Sequence, residues 1–381
     1  MSFPEPSHAV KLGGNDILKK TLREVGVVRL HGLDLELTGW FQVAWSGDIG
    51  PEQVVPLRYF GRDLVAYRGK DGVVRVHDRH CRHLGASLAH GGCVVDEGIQ
   101  CPFHGWVWAP DGHNVSIPYQ ERPNKARKLG SWPVVERNES IYVWFDHAGR
   151  EPYWDVPDAL HDTPHAADRE FHPAGPDARE SFPDLRVHPQ MVVENTVDPH
   201  HFRFVHRTPL SPVVLEEKVE GPQWWARVGF GKGWRDHAHD EDGALRTDTA
   251  NTIEILWSGM GVSVNVEHMR EGVRVITINT TPVEDGRSEI FATYWIDRAG
   301  DEESYRRRLA EAKLALPDDI KIWNHQIFLD PPALATEEAR GFRRMRRWAR
   351  QFYPGDVGEN GPAGTGDTRA PGTEKLEAGA S

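Results

Sequence analysis

The chain has 381 residues, 39% of them apolar and 27% charged, with a formal net charge of −12. That length exceeds one ordinary domain and predicts two, with enough apolar residues for real cores. The acidic balance argues against a nucleic-acid binder, and no apolar run is long enough to span a bilayer, so no membrane helix is expected.

Residues 1–14 lack a basic start followed by an apolar run, so no secretory signal is expected and the predicted location is the cytoplasm. Residues 1–36 read as an N-terminal arm with an amphipathic piece at 17–30. Residues 37–150 are rich in β-type segments, among them 53–59, 64–67, 73–77 and 141–145. Gly-Lys-Asp-Gly at 69–72 reads as a hairpin turn. This stretch predicts a small all-β domain. Residues 151–180, rich in Pro, Asp and His, predict a linker. From 181 to 354 a second domain is expected. Its segments 224–230, 249–257, 262–268, 273–281 and 289–296 read as strands of one antiparallel sheet. Three helices are expected: 191–206, 302–316 ended by Pro317, and 336–352. The last carries Phe342, Met345, Trp348 and Phe352 at helical spacing. Residues 355–381 have the composition of a disordered tail.

The three cysteines, Cys81, Cys93 and Cys101, are too few for a disulfide framework and suit metal ligation better. Cys81-Arg-His83, seventeen residues, then Cys101-Pro-Phe-His104 gives Cys-x-His and Cys-x-x-His. Two thiolates can hold one iron of a [2Fe–2S] cluster while two imidazoles hold the other, the Rieske arrangement. Zinc also accepts two cysteines and two histidines, but finger spacing groups like ligands together, whereas here they alternate. Gly85, Gly91, Gly92 and Gly105 let the backbone turn closely around a cluster. Cys93, between the two halves, is expected to be a buried small side chain.

A second constellation lies at Glu194-Asn195-Thr-Val-Asp198-Pro-His-His201-Phe-Arg-Phe-Val-His206. Two histidines and one carboxylate on one face of an iron, with open positions, is the set used by non-haem Fe(II) oxygenases. On a continuous helix Glu194, Asp198 and His201 share a side, while His206 does not. His206 can meet His201 only if the helix bends or ends between them, and Pro199 disturbs it. His200 reads as structural.

The chain resembles the α-subunits of Rieske ring-hydroxylating oxygenases, and within them the oxygenase component of 3-ketosteroid 9α-hydroxylase. The resemblance spans roughly 37–354. It rests on Gly39-Trp40, Tyr59-Phe60-Gly61, the two Cys/His loops, Ile117-Pro118-Tyr119, Ser131-Trp132-Pro133-Val134, Glu194-Asn195 through His206, Asp319-Ile-Lys-Ile-Trp323, and Arg347-Trp348-Ala-Arg-Gln-Phe-Tyr353. It implies an α+β fold: an all-β Rieske domain followed by a helix-grip catalytic domain with an antiparallel sheet. It also implies a third iron ligand late in the chain, for which Asp319 is the candidate and Asp318 the alternative. Asp198 would link an iron-ligand histidine to a cluster-ligand histidine of the next subunit, which implies a homotrimer. Asn195 would lie near the iron, its role open.

The implied reaction is reductive O₂ activation, with the [2Fe–2S] cluster feeding electrons to a mononuclear Fe(II). No flavin or NAD fingerprint is present; Gly229-Phe-Gly-Lys-Gly-Trp234 does not open a helix after a strand. A separate NAD(P)H-dependent reductase, with or without a ferredoxin, is therefore the expected partner. Arg340, Arg343, Arg344, Arg346, Arg347 and Arg350 make the last helix basic, as a solvated face or as a dock for an acidic donor. Trp224, Trp225, Phe230, Trp234, Trp257, Tyr294 and Trp295 supply core or an apolar pocket for a hydrophobic polycyclic substrate. Resemblance favours steroid monohydroxylation; arene dioxygenation, demethylation and desaturation share the same motifs. A Rieske electron carrier without the mononuclear iron is the competing class.

Overall fold

The computed structural model describes residues 29–354, apart from 31, 164–165, 209–210, 231–250, 270–271 and 285. The expected arm (before 29), the tail at 355–381 and Trp234 lie outside the described residues.

The N-terminal half is all-β. β1 (Arg29–Leu30) and β2 (Leu33–Asp34) make a short ribbon. β3 (Gly39–Trp45), β4 (Val54–Tyr59), β5 (Arg62–Arg68) and β6 (Val74–Asp78) follow, then β7 (Cys93–Val95), β8 (Gly98–Gln100), β9 (Val107–Trp108) and β10 (Asn114–Ser116). β11 (Ser131–Trp132), β12 (Val134–Arg137) and β13 (Ser140–Phe145) complete it. They form sheets ordered 11-6-5-4, 12-13-3 and 10-9-8-7. Residues 69–72 do turn the β5–β6 hairpin, with Gly72 at φ +78°. Cys93 corrects an expectation. It sits on β7, the edge of its sheet, and is exposed, with its thiol 3.5 Å from Gln100 Oε1.

The C-terminal half is one antiparallel sheet of seven strands. β14 (Arg179–Leu185), β15 (Val213–Glu220), β16 (Gln223–Gly229), β17 (Thr252–Ser258), β18 (Val262–Met269), β19 (Gly272–Pro282) and β20 (Ser288–Ile296) run in the order 14-20-19-18-17-16-15. The five inner strands match the sequence reading. The two edges, β14 and β15, were not anticipated: β14 contains Pro183 and β15 is half charged, as suits sheet edges. The stretch 151–178 is not laid out in solvent. Val156, Ala159, Ala166 and Ala174 are fully buried along it.

Five short helices are found among the described residues of this half. They are α1 (Pro189–Glu194), α2 (His201–Phe204), α3 (Glu302–Ala312), α4 (Leu316–Trp323) and α5 (Ala339–Ala349). Two expectations change. The single helix at 191–206 is broken between α1 and α2. Pro317 does not end a helix: α3 stops at Ala312, and Pro317 lies in the first turn of α4, where its missing N–H is harmless. α5 buries Met345, Trp348 and Ala349 and turns Arg340, Arg343 and Arg347 outward.

The two halves share packing. β3 is buried nearly throughout because it is covered on both faces. Asn279 on β19 donates to Gln42 Oε1 (2.8 Å) and Tyr142 Oη (3.2 Å), and Thr281 Oγ1 donates to the Gln42 carbonyl at 2.6 Å. A Cβ at Gly261 would lie 2.3 Å from the Trp40 carbonyl, so only glycine fits this approach.

Candidate metal centres

Two loops of like construction present the first four candidate ligands. In one, Cys81 N–H donates to the Ala86 carbonyl (2.9 Å), and Gly85 N–H to that of Cys81 (2.9 Å). In the other, Cys101 N–H donates to the Trp106 carbonyl (2.8 Å), and Gly105 N–H to that of Cys101 (3.0 Å). Gly85 and Gly105 take φ of +80° and +70°, which closes each loop after its Cys/His pair. Both cysteines are buried, and burial raises the Cys81 thiol above its ordinary range. The His83 and His104 rings are 4.8 Å apart, and His83 stacks on Trp106 at 4.4 Å. His104 Nδ1 is buried with no hydrogen-bond partner among the described residues. An unsatisfied buried nitrogen beside a second imidazole and two buried thiols fits a metal ligand.

The second group forms where the expected helix breaks. α1 is capped by His188 Nδ1, which accepts from Gln190 N–H at 3.0 Å. A 3₁₀ turn at Asn195–Val197 follows, and Asp198 leaves helical geometry at φ −116°, ψ 79°. Its carboxylate Oδ1 then accepts the N–H groups of His200 (3.1 Å) and His201 (3.2 Å), restarting the helix as α2. Arg207, at φ +59°, turns the chain out of α2. These two bends bring His206 beside His201, with ring centroids 5.3 Å apart.

α4 brings the carboxylate. Asp319 Oδ1 lies 3.3 Å from His206 Nε2 and 4.0 Å from His201 Nε2, and the three donor atoms fall within 4.8 Å of one another. Asp318 points elsewhere, paired with Lys321 at 2.7 Å. Asn195 Nδ2 donates to Asp319 Oδ1 at 3.4 Å, while its own Oδ1 accepts from Trp323 Nε1 at 3.3 Å. His201 Nδ1 contacts the backbone carbonyl of Asp198, not its carboxylate. Burial lowers the His201 pKa against the pull of Asp319 and Asp198, which keeps the imidazole neutral and able to bind a metal. His200 bonds Ser211 Oγ at 2.9 Å and faces away.

Glu194 is not on the metal side. It is buried in a two-pronged pair with Arg346 of α5, at 2.9 and 3.0 Å, which pins α1 to the last helix. Sequence reasoning missed that pair, because no local spacing links positions 152 residues apart.

The three residues line one wall of a cavity with about 780 Å³ free of protein atoms, part of it open to solvent. The opposite wall is the inner face of the large sheet, with Ile253, Ile255, Ile276 and Ile278. Of the aromatic residues singled out from the sequence, only Trp257 and Tyr294 line it among the described residues. Trp224 packs on Trp348, Phe230 on Phe202, and Lys218 covers Trp225; Trp295 donates to Glu139.

Residues 39–133 match the Rieske [2Fe-2S] domain family, and residues 143–353, more than half the chain, match the 3-Ketosteroid 9alpha-hydroxylase C-terminal domain. The chain belongs to the Rieske oxygenases of the 3-ketosteroid 9α-hydroxylase type. Cholesterol 7-desaturase of Caenorhabditis elegans is 35% identical to this oxygenase, over 85% of this chain and 77% of that protein. The "Probable 3-ketosteroid-9-alpha-monooxygenase, oxygenase component" of Rhodococcus rhodochrous is 27% identical over 83% and 79%. Among solved structures, dicamba monooxygenase with non-heme iron and dicamba superposes with a TM-score of 0.60 at 18% identity, covering 82% of this chain and 97% of that one. The oxygenase is thus an oxidoreductase with a Rieske [2Fe–2S] domain, the oxygenase component of a system whose reductase is separate. No helix among the described residues is long and apolar enough to cross a membrane.

Proposed function

We propose that the oxygenase oxidises a C–H bond of a steroid in the cavity between its helices and its large sheet. The observation that carries this reading is the convergence of His201, His206 and Asp319 on one wall of an apolar cavity. Those three residues would hold a mononuclear Fe(II), and Cys81, His83, Cys101 and His104 the cluster. When bound, the cluster carries single electrons and the iron activates O₂ for attack on substrate.

The protein's own groups set the conditions. The Asp198 carbonyl contacts His201 Nδ1, leaving Nε2 toward Asp319 as the ligating nitrogen. Asn195, held by Trp323, aims the Asp319 carboxylate and is a positioning residue rather than a ligand. The isoleucines of β17 and β19 exclude water and leave a rigid fused-ring hydrocarbon favourable contacts. Relatives divide between hydroxylation and desaturation by name, and both outcomes begin with oxidation of a C–H bond.

The exposed surfaces at the two sites support a homotrimer as the assembly. Leu84, Phe103 and Tyr119 are more than 60% exposed around the cluster loops. Phe204, Ile322, Ile327 and Leu329 are exposed beside the iron residues. Two different apolar patches on one chain suit a head-to-tail ring, in which one subunit's cluster loops cover the next subunit's iron site. Asp198, partly buried at that edge, would then join the two centres.

The test is a panel of steroids, bile acids and arenes, incubated with the oxygenase, a surrogate reductase and NADH, with products read by mass spectrometry. Oxidised steroids are expected; turnover of small arenes alone would refute the steroid assignment.

A further inference from the structure

The cavity floor carries an unexpected line of polar side chains. It is the inner face of the large sheet, and the inward positions of its middle strand, β18, are Ser263, Asn265 and Glu267. Their neighbours in register are apolar on β17: Trp257, Ile255 and Ile253. A middle strand packed under helices ordinarily presents apolar side chains to them.

The donors on this floor are already used. Ser263 Oγ donates to the Ile278 carbonyl at 2.8 Å. Both amide hydrogens of Asn265 are taken, by Ser263 Oγ (3.3 Å) and the Ile276 carbonyl (3.2 Å). That carbonyl also fixes which way the amide is turned, since an oxygen in its place would meet another acceptor. Tyr294 donates to Glu180 Oε2 at 2.8 Å, and Trp257 Nε1 to Thr196 Oγ1 at 2.7 Å. Arg274 places both its Nε (2.7 Å) and a terminal nitrogen (2.6 Å) on Glu267 Oε2.

Two acceptors are left over. Asn265 Oδ1 and Glu267 Oε1 have no partner among the described residues, and both side chains line the cavity. A ligand O–H would satisfy them, whereas a ligand carbonyl can only accept and would face two more acceptors.

We propose that Asn265 and Glu267 read a hydroxyl on the substrate, so that the oxygenase selects a hydroxysteroid over the ketosteroid of the same skeleton. This rests on the steroid reading of the cavity and narrows it. The donor and acceptor chemistry, more than the size of the cavity, sets the choice. Rejection by unpaired polar groups is the stronger form of discrimination, because a misplaced carbonyl leaves buried acceptors unmatched.

The experiment is equilibrium binding of 5α-androstan-3β-ol and 5α-androstan-3-one to the purified holoenzyme, with oxidation of each followed in parallel. Each probe carries one oxygen, so it can enter in either direction. The alcohol is expected to bind about 10–100-fold more tightly, as for one hydrogen bond to a charged acceptor. Glu267→Gln replaces an acceptor by an amide that can donate and is expected to improve ketone binding. Because that change also weakens the pair with Arg274, Asn265→Leu is the second variant; it keeps the pair and should narrow the preference several-fold. Equal binding of the two steroids by the wild-type protein, with both oxidised, would overturn this inference and leave the steroid reading intact. So would an unchanged preference in Asn265→Leu. Failure of both steroids to bind overturns this inference and the steroid reading together.

Discussion

Trp108 Nε1 lies 3.3 Å from Cys81 Sγ, and both residues are buried. An N–H aimed at a cluster thiolate favours the reduced, more negative state and so raises the reduction potential. Trp108→Phe keeps the ring packing and removes the donor. The potential should fall by roughly 20–60 mV, the one-electron equivalent of a net hydrogen bond. Protein-film voltammetry reads this directly. An unchanged potential would remove Trp108 from the tuning of the cluster.

Asp198 does two separable things. Its carboxylate caps α2, and its carbonyl contacts His201 Nδ1. Asp198→Asn retains a cap, while Asp198→Ala loses it and about 1 kcal/mol of stability. If the negative charge also joins the two centres across a subunit boundary, both variants should lose about 10–100-fold in turnover. Only the alanine variant should unfold earlier. Turnover at the wild-type rate in Asp198→Asn would confine the residue to capping.

The basic helix offers a test of donor docking. Arg344 and Arg346 are engaged with Glu217 and Glu194. Arg340, Arg343, Arg347 and Arg350 are exposed on one stripe, without an ion-pair partner among the described residues. If an acidic reductase or ferredoxin docks there, cluster reduction slows steeply with added salt, and reversing Arg343 and Arg347 to Glu removes that dependence. Stopped-flow reduction at several ionic strengths decides it. A salt-independent rate would make the stripe an ordinary solvated face.

His77 gives the N-terminal half an acid-sensitive point, in contact with the Tyr67 that packs in the same core cluster as Cys81 and Cys101. Burial under Tyr67 pushes its pKa down to about 4. The unfolded chain takes up a proton near pH 6.5 and the folded one only near 4, so stability is complete above 6.5 and is lost as pH falls between those values. The loss is at most about 3 kcal/mol from this residue. Urea melts of His77→Gln should show a shallower decline from pH 6.5 to 4.5 than wild type. Parallel declines would assign the acid sensitivity to other groups.

The sequence made the cluster loops plain because each is local: a Cys, a His and a closing glycine within five residues. The inner strands were equally legible, since their apolar runs are long and bounded by turns. The residues of the proposed iron site were only half legible. Helical periodicity put Glu194 with Asp198 and His201, yet Asp198-Pro199 breaks the helix and Glu194 turns to Arg346. The choice between Asp318 and Asp319 depended on the start of α4, which places one toward Lys321 and the other toward the histidines. Edge strands and long-range pairs carry no period, so β14, β15 and the Glu194–Arg346 tie emerged only from the fold.

The central claim is that His201, His206 and Asp319 hold an iron distinct from the cluster. Iron and acid-labile sulfide, counted per chain in wild type and Asp319→Ala, test it most directly. Wild type should hold the two cluster irons and one more; Asp319→Ala should lose only that one, keep its sulfide and visible spectrum, and form no product. Full iron content with turnover in Asp319→Ala would contradict the account.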